Sequence, residues 1–138
     1  MYETILLALD VSDADRPIID HIKQLAVVTH SRVVLLHIAT SAPAQYHRED
    51  AAGAEVRDDQ AYLNRVKAEL EDAGVRAVAE LGYGDPATEI IKWVKARGCD
   101  LVAMGTHGHK WLADLLFGVT ASRVQHNISV PVLLLRAK

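Results

Sequence analysis

Glycines stand at 105, 108 and 118 and threonines at 106 and 120, and Gly105 follows directly on the apolar run Leu101-Val102-Ala103-Met104. Residues of this kind at a strand end suit one task. Where no Cβ intervenes, main-chain N–H groups approach a phosphate closely, and the start of a helix adds partial positive charge at the same place. The chemistry would be anion capture, and the anion the phosphates of a nucleotide. The competing reading is turn punctuation, because glycines close many strand ends that hold no ligand.

Other chemistry-bearing residues are weighed beside these. Asp10 follows the first apolar run, where it either faces a ligand or caps the next turn, a role that Ser12, Asp13 or Asp15 could share. Asp13, Asp15 and Asp20 read as a solvated helix face with favourable charge at the helix start. His107 and His109 stand two apart without a third metal ligand of matching type nearby, so solvated loop histidines are the better account. Lys110 reads either as a mobile cation for a terminal phosphate or as a surface lysine. His37 lies within a strand and reads as a hydrogen-bonded core residue, Trp93 and Trp111 as packing, and Cys99 as a buried residue with no redox role. Neither Gly-x-Ser-x-Gly nor Gly-Lys-Ser/Thr occurs, and no acid and base are assembled. Dedicated catalysis is unsupported, and slow hydrolysis of a bound nucleotide stays open.

The elements that must position these residues follow from periodicity. Short apolar runs at Thr4 to Leu9, Val33 to Ile38, Ala77 to Leu81, Leu101 to Met104 and Val130 to Leu135 have the pattern of strands covered on both faces. Between them lie helical spacings: Ile18, Ile22, Leu25; then Tyr62, Leu63, Val66, Leu70; then Ile90, Ile91, Val94. Pro17 and Asp85-Pro86 open helices, and Gly74 and Gly98 follow helix ends. The alternation predicts an α/β fold, a single doubly wound domain over residues 1–138 with a five-stranded parallel sheet and helices on both faces. Ligands of such sheets bind beyond the carboxyl ends of the strands where strand order reverses. Asp10 and Gly105 hold those positions if the first and fourth strands are neighbours. Ala39 to Ala52 is either a flap over the site or a disordered connector.

Composition narrows the function classes. The chain has 138 residues, half of them apolar, the size of one domain with one core. A net charge of −3 without a basic stripe argues against nucleic acid as a partner. With one cysteine no internal disulfide forms, no apolar run nears the roughly 20 residues of a membrane helix, and the opening segment lacks a signal-peptide pattern. A cytoplasmic location is expected.

TILLALDVSD, VVLLHI, DLVAMGTHGHKWLADLLFG and VPVLLLR, in this order and spacing, resemble the universal stress protein family over nearly the whole chain. The resemblance implies the adenine nucleotide alpha hydrolase-like arrangement, and a nucleotide branch marked by Gly, two residues, Gly, nine residues, Gly, then Ser or Thr. Gly105, Gly108 and Gly118 match that spacing. Val119 departs from it, with the hydroxyl one place later at Thr120. Val119 still offers its N–H, so loss of the side-chain hydroxyl weakens binding about tenfold without abolishing it. By the same likeness Ala8, Leu9 and Asp10 line the ribose and phosphate side and the main chain at Ile38 meets the adenine edge. Met104 and Gly105 floor the ribose, and Gly108, Gly118, Val119 and Thr120 surround the phosphates. The implied ligand is ATP or another adenine nucleotide with Mg²⁺, the ion held by phosphate and water without a protein cage. The implied assembly is a homodimer through the C-terminal strand, which otherwise leaves an apolar edge, against a monomer with a short twisted edge. A nucleotide-linked regulatory dimer read by another protein is the expected function, and a nucleotide-free dimeric adaptor or a slow ATPase its alternatives.

Overall fold

The structure is a computed structural model that describes residues 1–39, 51–105, 123, 124 and 126–135. Strand β1 (Thr4–Ala8) leads through a short 3₁₀ turn at Asp13–Asp15 into α1 (Arg16–Thr29), then β2 (Arg32–Ala39), α2 (Ala51–Asp72) and β3 (Ala77–Tyr83). Helix α3 (Pro86–Arg97) joins β3 to β4 (Leu101–Gly105), and β5 is Val132–Leu135. All strand pairs are parallel, in the order β3-β2-β1-β4-β5. The expected doubly wound sheet is therefore present, and β1 and β4 are neighbours.

Alternation along each strand sorts side chains onto two faces. Ile5, Leu7, Leu9, Val33, Leu35, Leu101 and Ala103 pack under α1 and α2, against Ile18, Ile22, Leu63 and Leu70. Leu6, Ala8, Val34, Leu36, Val102 and Met104 pack on the other face against Ala87, Ile90 and Val94 of α3. Both faces of the central strands are dry, which is why their sequences read as continuous apolar runs.

Local signals set the ends of the elements. Asp85 caps α3 by accepting from the Thr88 N–H at 2.9 Å, Pro86 takes the first helical position, and Gly98 closes the helix at φ +62°. Strand β5 starts at Val132, two residues later than the sequence suggests. Pro131 has no N–H to give a ladder, although its carbonyl accepts from Val102 N at 3.0 Å. Ala51 and Ala52 are already helical, so the irregular stretch is shorter than its expected span, and residues 40–50 of the flap or connector lie outside the described residues.

Two carboxylates on the helices set an acid limit. Lys23 and Arg16 of α1 reach Glu69 of α2 at 2.8 and 2.7 Å, and the Lys23 hydrogen bond above all draws the Glu69 carboxyl below the usual range. Asp85 is drawn down too, mainly by its bonds from Thr88. A depressed folded-state value means stability present above the unfolded value of about 4 and lost as pH falls through the folded one. Urea midpoints are thus expected to fall as the pH drops below about 4, with Glu69→Gln and Asp85→Asn each flattening the fall. Each side chain is substantially solvent-exposed, so each contributes under about 1 kcal/mol. A profile unchanged in both variants would exclude these groups as the cause.

Candidate functional site

The reversal of strand order falls between β1 and β4, so the crevice lies beyond Ala8 and Gly105. Ala8 stands in register with Leu36 on one side and Met104 on the other. The fold brings Ala8, Leu9, Asp10, Ile38, Met104 and Gly105 together at this edge. Gly108, Gly118, Val119 and Thr120 lie outside the described residues, as do His107, His109, Lys110 and Trp111.

At Ile38 the sheet has a notch. The last bond from β1 to β2 is Leu9 N to Leu36 O at 2.8 Å, whereas β2 runs on to Ala39, whose carbonyl accepts from Gly84 N on the β3 side at 3.3 Å. Main-chain groups alternate sides along a strand, so Leu36 and Ile38 face the β1 side and Ala39 faces β3. The N–H and C=O of Ile38 therefore point to where β1 has already ended. Its side chain is buried in the α3-side core, so the main chain is what Ile38 presents.

Gly105 is the other bare stretch of main chain. A Cβ built there would lie 3.8 Å from Ala14 O and Leu135 O and 3.9 Å from Ile18 Cγ2, ordinary contacts that the protein tolerates. The protein's own packing thus does not demand glycine at this position. Leu9 is structural: its N–H goes to Leu36, its carbonyl lies 2.9 Å from His37 Nδ1, and its side chain is fully buried. A carbonyl only accepts, so His37 Nδ1 carries the proton, and the residue is the hydrogen-bonded core histidine the sequence suggests. Its Nε2 lies 3.5 Å from Asp59 Oδ2 on α2.

The turn after β1 decides between the two readings of Asp15 in favour of a cap. Asp15 is not on a solvated face; it is 3% exposed, and its carboxylate accepts from Asp10 N at 2.9 Å, Val11 N at 2.8 Å and Ser12 N at 3.3 Å. Tyr62 of α2 donates its hydroxyl to the same carboxylate at 2.8 Å. Ser12 completes a capping box by accepting from Ala14 N, and its hydroxyl lies 3.4 Å from Asp10 Oδ2. The pattern Ser12-x-x-Asp15 is the signal that could have revealed this, with Asp in the place of the usual Glu or Gln. Three consecutive amides that form a ready anion nest are already taken by a carboxylate. Val11 is held at φ +60°, a strained conformation for a β-branched residue.

Arg123, just past the glycine segment, also escaped the sequence reading. It donates to Asp85 Oδ2 at 3.1 Å and to Thr88 Oγ1 at 2.9 Å, so the chain after Thr120 is fastened to the start of α3. Among the described residues no group of three His, Cys, Asp or Glu side chains could hold a metal ion, and no helix is long and apolar enough to cross a membrane. Burial pushes the Cys99 thiol up to about 11, which leaves it a poor nucleophile. A hollow of about 320 Å³ is lined in part by Ser12, Arg16, Tyr62 and Glu69 of the turn, α1 and α2.

Residues 1–136 match the sequence profile of the universal stress protein family. A curated universal stress protein of Methanocaldococcus jannaschii is 28% identical over 99% of this chain and 83% of its own length. The solved structure of a second protein of that archaeon has a TM-score of 0.80 at 26% identity, covering 100% of this chain and 98% of the other. Two more distant structures share the fold: a universal stress protein in complex with cAMP, at TM-score 0.75 and 18% identity over 99% of both chains, and one from Archaeoglobus fulgidus in complex with dAMP. The latter has TM-score 0.69 and 17% identity over 96% of this chain and 97% of the other.

Proposed function

The chain belongs to the universal stress protein family, and from that premise we propose that its carboxyl-edge crevice binds an adenine nucleotide, ATP with Mg²⁺, as the ligand of a regulatory homodimer. The observation that carries this reading is the notch at Ile38. An N–H and a C=O side by side match the donor and acceptor on the edge of an adenine, and the notch opens at the strand-order reversal. Gly105 fits the same ligand, because a residue without a Cβ lets its main chain come close to the ribose or first phosphate. Relatives of this fold in complex with cAMP and dAMP support the class of ligand.

The roles are assigned by the family likeness. Ala8 and Met104 form the floor, Asp10 faces the ribose, and Gly105, Gly108, Gly118, Val119 and Thr120 supply amides and a hydroxyl to the phosphates. Leu9 acts only through the main-chain bonds that fix β1's end. Mg²⁺ would sit on phosphate and water oxygens, as this hard ion commonly does. In this reading the nucleotide acts as an effector. Its influence requires different affinities in two states of the protein, which a second protein in a cytoplasmic stress response then reads.

The reading is tested on protein unfolded, freed of nucleotide and refolded, then titrated calorimetrically with ATP and Mg²⁺. One site per chain is expected. Gly105→Ala is expected to fold normally and to bind at least about tenfold more weakly, since an added methyl hinders close approach of the ligand to the main chain. Absence of binding heat in the wild type would overturn the reading in favour of a nucleotide-free adaptor. Phosphate release that vanishes in Gly108→Ala would favour a slow ATPase.

A further inference from the structure

Helix α2 reaches the turn behind β1 at two points one helical turn apart. Asp59 approaches His37, whose ring holds the Leu9 carbonyl, and Tyr62 donates to Asp15, which gathers the amides of Asp10, Val11 and Ser12. Residues three apart share a helix face, so one face of α2 grips the end of β1 and the turn after it.

We propose that Tyr62 and Asp15 are positioning residues, a latch through which docking of α2 holds the Asp10 turn in the form that receives the nucleotide; this inference rests on the nucleotide reading above. Val11 gives the latch something to hold. A β-branched residue at φ +60° persists only while its surroundings impose that conformation. Its N–H is fixed by Asp15 at 2.8 Å, and on release the turn relaxes toward ordinary dihedrals and carries Asp10 with it. Tyr62 suits the part. Its ring packs against the α1–α2 core, and burial first, then the bond to Asp15, raise its ionisation well above the ordinary tyrosine value. The hydroxyl therefore stays a donor across the neutral range.

Tyr62→Phe keeps the ring and deletes the donor. Hydrogen exchange of the Val11 and Ser12 amides in nucleotide-free protein is expected to quicken about tenfold, with exchange in β1 and β4 unchanged. The Kd for ATP with Mg²⁺ is expected to rise about three- to tenfold, mainly through faster dissociation. Glu69→Gln, which removes a neighbouring α1–α2 contact without touching the turn, is expected to move neither. Unchanged exchange in Tyr62→Phe overturns the latch, and faster exchange with unchanged affinity overturns its link to the site. Wild-type protein that binds no adenine nucleotide fails the functional reading and that link together. The exchange result then decides by itself whether the latch exists.

Discussion

Asp15→Ala is expected to lower stability by about 3 kcal/mol and to abolish nucleotide binding, a large effect for an acidic residue near a helix start. The carboxylate serves three main-chain N–H groups and a phenol in a place 3% exposed to solvent. Truncation leaves all these donors without an acceptor, at roughly 1 kcal/mol or more each. Two gains offset part of that cost: a buried charge is removed, and Val11 can leave its strained φ. The remainder is still several times what a surface carboxylate contributes. Asp20 supplies the comparison, because it is half-exposed and pairs with Arg16 at 3.0 Å on the outside of α1. Asp20→Ala is expected to cost under about 0.5 kcal/mol. Urea unfolding of the two variants side by side decides the matter, and equal small losses would show that Asp15 is as dispensable as the sequence suggests. Asp15→Asn is expected to fall between, since an amide keeps one acceptor oxygen but turns an NH₂ toward donors.

Leu134→Lys is expected to convert the proposed dimer to a monomer at micromolar chain concentration. Strand β5 is the sheet's edge, paired only to β4 among the described strands, and Leu134 is 48% exposed. Leu133 and Leu135 turn inward to the α1–α2 core, and Leu134 shares the opposite face with Val132, which packs toward the α3 side. An apolar side chain left open on an edge strand invites strand pairing, and twofold symmetry brings the same residue from each chain to one contact. Two lysines in that contact repel and must be desolvated, which weakens association at least about 100-fold. Since Leu134 is already half in water, the variant chain keeps its fold. Val28→Lys at a still more open apolar position on α1, 75% exposed, is expected to leave assembly unchanged. Sedimentation velocity reads both. A monomeric wild type, or a Leu134→Lys protein that stays dimeric, removes the C-terminal strand from the interface.

How far the sequence could be read depends on what each residue leaves visible in its type and spacing. Ile5 to Ala8 and Leu101 to Met104 are covered on both faces, so uninterrupted hydrophobicity identified them as inner strands and placed Asp10 and Gly105 at one edge. Asp85-Pro86 and Gly98 marked their helix because capping and positive φ leave a residue signature. Asp15 was hidden by its company. Three aspartates between 13 and 20 suggest solvent, and only a third dimension distinguishes the one turned into the β1 turn. Tyr62 was read correctly as part of a core stripe, but its hydroxyl's partner lies 47 residues away in sequence and no local pattern encodes that distance. Arg123 escaped for the same reason, with partners 35 and 38 residues distant. The role proposed for Ile38 came from family likeness alone, because an isoleucine in a strand says nothing about where its neighbour strand stops.

That unequal ending of β1 and β2 carries a lesson for mutagenesis. The groups that Ile38 turns toward the gap are peptide atoms, and every residue except proline supplies the same pair. Scanning the position with alanine would perturb the hydrophobic interior while leaving those atoms in place, and would misreport the locus as mere filling. Testing the proposed heterocycle site calls instead for altering strand length, or for exchanging an amide for an ester by chemical synthesis, so that the polypeptide itself becomes the variable.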